Sequence, residues 1–184
     1  AEEIGKSEES AMWQSRAQAL LERMISTMWD EEAGLFWATH HQKPVDVITP
    51  FNLFPLWTGK LSDAMVEKMI KKLTSPELFW GQNSIPTVAF NDKKFTEGTM
   101  WRGPIWANIN FFMIEALERS KRYALARELR KKTLDLIANS PGIFEYYNPI
   151  TGAPPPTAAP AFSWTAAVFI ELSIQAAFDT INKK

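Results

Sequence analysis

A chain of 184 residues with 46% hydrophobic side chains is long enough to bury one real core and is read as a single domain. Its net charge of −1 leaves no electrostatic footprint for nucleic acid or an anionic membrane. With no cysteine there are no disulfides or thiolate metal sites, and the compartment stays open. The only two histidines are the adjacent pair His40-His41, which cannot supply an HExxH site, so neither a metal nor a cofactor is expected.

Taken in chain order, the first predicted helix runs from near Ser7 to Asp30. Trp13, Ala17, Leu20, Leu21, Met24 and Met28 recur at three and four residues and form one stripe expected to be buried. Gly34 follows, and 35–39 reads as extended. Ser62 caps a second helix whose buried face is Met65, Val66, Met69, Ile70 and Leu73. From Pro76 to Gly103 no period emerges. Such a long irregular segment, rich in aromatics, reads as a functional loop rather than disorder.

Pro104 suits the first turn of a third helix, apolar almost all round from Ile105 to Leu117 and so expected to be encased. A fourth helix, Lys121 to Ala138, is amphipathic. Its basic run (Lys121, Arg122, Arg127, Arg130, Lys131, Lys132) reads as a solvated outer face. A fifth, from about Trp164 to Thr180, is again apolar nearly all round and expected to be encased. Encased helices alternating with one-sided ones are what helical hairpins with an inner and an outer layer produce. Neither apolar stretch is long enough to span a bilayer, and they carry Glu115 or Glu171.

Chemistry concentrates at Glu145-Tyr-Tyr-Asn-Pro149, where one carboxylate sits among aromatic rings before a proline turn. Sugar-cleaving sites pair an acid that does the chemistry with flat rings that pack on sugar faces. Glu145 is therefore the candidate catalytic residue. If residues 144–147 are extended, Glu145 and Tyr147 face a cleft while Phe144 and Tyr146 face the core. Arg102 fits either a donor to sugar hydroxyls or a structural ion pair. Trp101 and Trp80, both in loops, are candidate sugar platforms. Trp164 and Trp106 fit core packing equally well.

Three motifs occur in a telling order: Trp101-Arg-Gly-Pro-Ile-Trp106-Ala-Asn108, Glu145-Tyr-Tyr-Asn-Pro-Ile-Thr-Gly152 and Phe162-Ser-Trp-Thr-Ala-Ala167. Together they resemble the C-terminal part of the catalytic domain of glycoside hydrolase family 63. That family holds processing and bacterial α-glucosidases, with mannosylglycerate hydrolases nearby. Trehalases are more distant relatives. The resemblance covers about Met28 to Phe178. It implies an all-α chain with a few short β pieces in loops, amounting to about half of an (α/α)6 toroid. It also implies an inverting hydrolase of α-glucosides or α-mannosides with Glu145 as general base. The family's general acid is an aspartate near a Trp-Asp-Ser-Gly type motif, which this sequence lacks; Trp29-Asp-Glu-Glu32 does not match. Asp46, Asp92 and Glu97 are the loop acids left to weigh as substitutes. The linker 153–161 also departs from the family, which has more glycine there.

Two readings result. In one, the chain is part of a hydrolase, inactive alone, whose partner is a complementary N-terminal half or a second copy. In the other it is a non-catalytic helical domain that binds carbohydrate or protein and self-associates.

Overall fold

The computed structural model describes residues 1–83 and 85–181. The chain is mainly helical, and its contacts gather into two compact units, Ala1–Val45 and Asp46–Lys184, where the sequence reads as one domain.

In the first unit a 3-10 turn, Glu2–Ile4, precedes helix α1, Ser7–Met28. Strands β1 (Trp29–Asp30) and β2 (Leu35–Phe36) pair antiparallel, as do β3 (Thr39–His40) and β4 (Lys43–Pro44). His41 and Gln42, with φ of 49° and 62°, make the tight turn between the last two. The stripe expected to be buried on α1 is not: Leu21 is its one buried residue, while Trp13 and Leu20 are 55% and 57% exposed. The period marks which face is apolar; it does not supply a layer to cover it.

Asp30 organises the β1–β2 turn. Its Oδ1 accepts from the backbone N–H groups of Glu32 and Ala33 (3.0 and 2.8 Å), and its Oδ2 from the Trp37 indole N–H (3.0 Å). These bonds, the Ala33 amide foremost, hold its carboxyl below the usual carboxylate range. A depressed folded-state pKa gives a contribution that is complete above the unfolded value and is lost as pH falls through the folded one. We therefore expect acid titration below the ordinary aspartate range to loosen this turn. The Trp37 indole N–H resonance would report it, and Asp30→Asn would remove the transition.

The second unit holds the core. Thr49 and Asn52 form a capping box that starts a 3-10 helix, Pro50–Thr58. Helix α2, Asp63–Leu73, begins as expected: Ser62 Oγ accepts from the Met65 N–H (3.3 Å), and the five named residues are its buried face. Helix α3, Ala107–Arg119, is the central element, packed by α4 (Tyr123–Ala138), α5 (Ser163–Ile181) and the 3-10 helix. As expected it is covered on most sides. It starts later than Pro104 suggests, because Ile105 is extended and pairs with Tyr147. Helix α4 starts later than Lys121 for a different reason. Lys121 (φ 60°) is the left-handed residue closing α3, its N–H bonded to Glu118 O and that of Arg122 to Leu117 O.

Helix α5 is covered on one side only. Thr165, Val168 and Leu172 are buried, whereas Ile170, Ile174 and Phe178 are 60%, 47% and 59% exposed. The expected encasement is absent: among the described residues that face stays open to solvent.

The basic run on α4 is likewise not all solvated. Arg130 is 4% exposed and donates to Asp179 Oδ2 on α5 (2.5 Å) and to Glu118 on α3, tying three helices together. Arg130→Ala leaves two carboxylates without their cation. It is expected to cost about 3 kcal/mol, the low end for a broken buried pair, since both carboxylates keep a third or more of their surface in water. Arg130→Met, which keeps the packed stem, is expected to cost clearly less. Urea unfolding of the two variants compares them.

Candidate active site

Glu145 lies on an extended piece clamped from both sides. On one side Ile105 and Tyr147 exchange backbone hydrogen bonds (2.8 and 3.0 Å). On the other, Glu145 N–H donates to Ala159 O (2.9 Å), Phe144 bridges Pro160, and Phe162 N–H donates to Ile143 O (3.1 Å). Two tyrosine hydroxyls fix the piece further: Tyr146 bonds Thr157 Oγ1 (2.8 Å), and the Tyr147 hydroxyl accepts from the Phe144 N–H (3.1 Å). The half-buried carboxylate is thus carried by backbone with little freedom to move.

The next residue on the strand, Tyr146, joins an aromatic wall. Trp106 stacks on Trp101 (centroids 3.9 Å apart, planes 11° from parallel) and on Tyr146 (5.4 Å, 26°). Phe162 and Trp164 meet Trp106 edge-on at 6.3 and 6.5 Å. Trp106, Ile109, Tyr146 and Ala158 form the buried cluster, with Phe54, Phe144 and Phe162 packed against it. So Phe144 and Tyr146 do face the core. Trp101 and Trp164 remain 41% and 46% exposed, presenting flat surface above a rigid support. Trp164 is accordingly a surface residue and Trp106 a core one.

Tyr147 departs from the expectation. It is fully buried, and burial pushes its phenol above the ordinary value, so it stays neutral. Strand alternation separates two faces, but both are closed at this residue; its ring offers nothing to a sugar and instead holds the strand. Trp80 is also otherwise engaged: its indole N–H donates to Glu128 Oε1 (2.8 Å) and Lys132 Nζ sits 4.9 Å from its ring centre, anchoring the loop to α4. Arg102 is exposed, and no ion pair of its guanidinium is found among the described residues, which leaves the donor reading in place. Its carbonyl accepts from Thr96 N–H (2.6 Å) and Oγ1 (3.3 Å), closing the loop that carries Trp101.

The three loop acids separate. Asp92 is structural, accepting from the Ile48 and Lys94 N–H groups (2.9 and 2.8 Å). Asp46 pairs with Lys93 at 3.4 Å, both well exposed. Glu97 reaches the Glu145 motif itself, its Oε2 accepting from Asn148 Nδ2 (3.2 Å). Sequence reading missed that tether. It also missed the second task of Asn148, whose Oδ1 accepts from Ile150 and Thr151 N–H to fold the turn (2.8 and 3.0 Å). The Asn-Pro-Ile-Thr-Gly string was the available signal. Among the described residues no group of three His, Cys, Asp or Glu is placed to hold a metal, and no helix is long and apolar enough to cross a membrane.

The class of the domain, a glycoside hydrolase one, comes from comparison with known proteins. Residues 1–165 match the mannosylglycerate hydrolase MGH1-like glycoside hydrolase domain. The chain belongs to that family. It is 30% identical over 149 residues to a mannosylglycerate hydrolase of Thermus thermophilus, covering 78% of this chain and 34% of that protein. It is also 30% identical over 160 residues to mannosylglycerate hydrolase MGH1 of Selaginella moellendorffii, covering 85% and 31%. A crystal structure of a GH63 mannosylglycerate hydrolase from Thermus thermophilus, in complex with Tris and D-glycerate, superposes with a TM-score of 0.74 at 28% identity. That match covers 86% of this chain and 37% of the other. The chain spans about a third of the length of the curated relatives it matches.

Proposed function

We propose that this chain is the C-terminal, base-carrying part of an (α/α)6 glycoside hydrolase domain, about half of the toroid, acting on α-glucosides or α-mannosides with inversion. The observation that carries this is Glu145 on a clamped strand whose next residue, Tyr146, joins the Trp101–Trp106 stack. Glu145 takes a proton from water, whose oxygen attacks the anomeric carbon. The glycosidic C–O bond breaks, and a general acid outside this chain protonates the leaving oxygen. Inversion requires roughly 6.5–9.5 Å between the two carboxyl groups, room for that water. Trp101 and Trp164 supply apolar surface for sugar faces and Arg102 donates to hydroxyls.

Incubation with a panel of α-glucosides and α-mannosides, followed by proton NMR of the released anomer, tests this. No turnover is expected from the chain alone, and turnover with inversion when the missing N-terminal segments are added. Turnover by the chain alone would move the acid inside it, to Glu97 first. Turnover that survives Glu145→Gln would sink the mechanism.

The uncovered face of α5 favours a second reading, a binding domain that associates through Ile170, Ile174 and Phe178. A stable homodimer that binds sugar, is not dissociated by the N-terminal segments and never turns sugar over would select it.

A further inference from the structure

A concavity of about 530 Å³ is lined by none of Glu145, Trp101, Arg102 or Trp164. It opens between the C-terminal end of α4, the turn at Ser140-Pro141, the loop Thr151–Pro154 and the pair Gln82-Asn83. Gly152 builds one wall: its φ of 74° and the closeness of Asn83 Oδ1 and Leu136 to where a Cβ would stand let that loop lie against both.

The lining specifies its occupant. Its two charges are already committed, Lys132 to Gly81 O (3.0 Å) and Glu128, and Asp135 to Lys131. No net field is left to select an anion or a cation. The uncommitted polar groups are neutral. Asn83 spends its Nδ2 on the carbonyls of Pro149 and Ile150 (3.3 and 2.9 Å), leaving Oδ1, and the Gln82 and Asn139 amides have no hydrogen-bond partner among the described residues. Ser140 Oγ is buried, against the Tyr147 hydroxyl, and is not itself presented to the cavity. Amides and hydroxyls both donate and accept, as sugar hydroxyls do. Leu136, Pro141 and Pro154 add apolar surface for C–H faces. The volume falls within the roughly 300–1,000 Å³ of small-molecule sites.

We propose that this cavity is a second carbohydrate site, taking one neutral hexopyranose unit by its hydroxyls. It stands on its own lining and does not depend on the role given to Glu145. One lining residue, Ser140, interacts with the Tyr147 hydroxyl, which meets the Glu145 strand at the Phe144 N–H.

The test is an NMR titration of the ¹⁵N-labelled chain with methyl α-D-glucopyranoside and methyl α-D-mannopyranoside, watching the side-chain amides of Gln82, Asn83 and Asn139. Saturable shifts at these amides are expected for one or both sugars. Asn139→Leu with Gln82→Leu, both exposed positions that leave the core intact, should weaken the binding at least about tenfold, the effect of losing roughly 1.4 kcal/mol of contacts. Trp101→Ala should leave it unchanged, which separates this site from sugar bound at the aromatic wall. Amides that do not move, binding that survives the double substitution, or saturation by sodium phosphate in place of sugar would each overturn the proposal.

Discussion

Replacing Glu145 with Gln in the domain completed by its N-terminal segments is expected to lower turnover by about 10²–10⁴-fold, the usual contribution of a positioned acid or base. Sugar affinity should change little. The substitution is close to isosteric, and the backbone bonds that hold residue 145 involve its N–H and its neighbours, not its carboxylate. The loss should therefore fall on kcat rather than KM, as for an interaction made only in the transition state. Initial rates with wild type and variant, alongside a sugar titration read by the fluorescence of Trp101 and Trp164, separate the two quantities. A variant that loses binding and rate together would make Glu145 a substrate anchor, not a base.

The second large effect is expected at Gly103, which has no side chain to take part in chemistry. Its φ of 147° lies where only glycine is at ease, and a Cβ there would overlap the Thr96 carbonyl oxygen, with the Phe95 ring at 3.1 Å. Neither obstacle can yield cheaply. Thr96 is hydrogen-bonded to Arg102 O, and the Gly103 N–H is held by Thr87 Oγ1 (3.0 Å), itself buried and bonded to Pro104 O (3.0 Å). Gly103→Ala should cost about 3 kcal/mol or more, strain and steric overlap acting together. It should also displace Trp101 from Trp106. Urea unfolding gives the first number, and loss of the near-UV circular dichroism of the stacked indoles reports the second. A variant of wild-type stability that keeps the stack would mean that the loop has another conformation of equal energy.

The parts of this fold legible from sequence are those governed by local rules. Helix α2 is the clearest case, since Ser62, a strong apolar period and a polar opposite face leave one arrangement. The misreadings share one cause: a pattern names a face without naming its cover. The stripes on α1 and α5 are real, yet Trp13, Leu20, Ile170 and Phe178 stand in water because the layer that would bury them is not among the described residues. Tyr147 fails for the opposite reason. Period two put it beside Glu145 on an open side, but residues distant in sequence close over it, and no local signal foretells that. The engagement of Trp80 was not legible because its partners, Glu128 and Lys132, belong to a helix some fifty positions later. The motifs that carry Trp101, Arg102 and Glu145 flank α3 and α4 in sequence, and the Ile105–Tyr147 pairing joins their backbones. The stacking on Trp106, and the tether between Glu97 and Asn148, were visible only in three dimensions.

The clamping of the Glu145 strand has a kinetic side. Its pairing with Ile105 closes a loop that contains the whole α3–α4 hairpin, and its pairing with Ala159 and Pro160 waits on the linker that precedes α5. Helices and local turns form quickly, whereas non-local pairings wait for loop closure. In a chain made from its N-terminus the carboxylate is therefore among the last groups to be seated. A collapsed intermediate with α2, α3 and α4 in place would look nearly native by helix content while still having no competent position for Glu145.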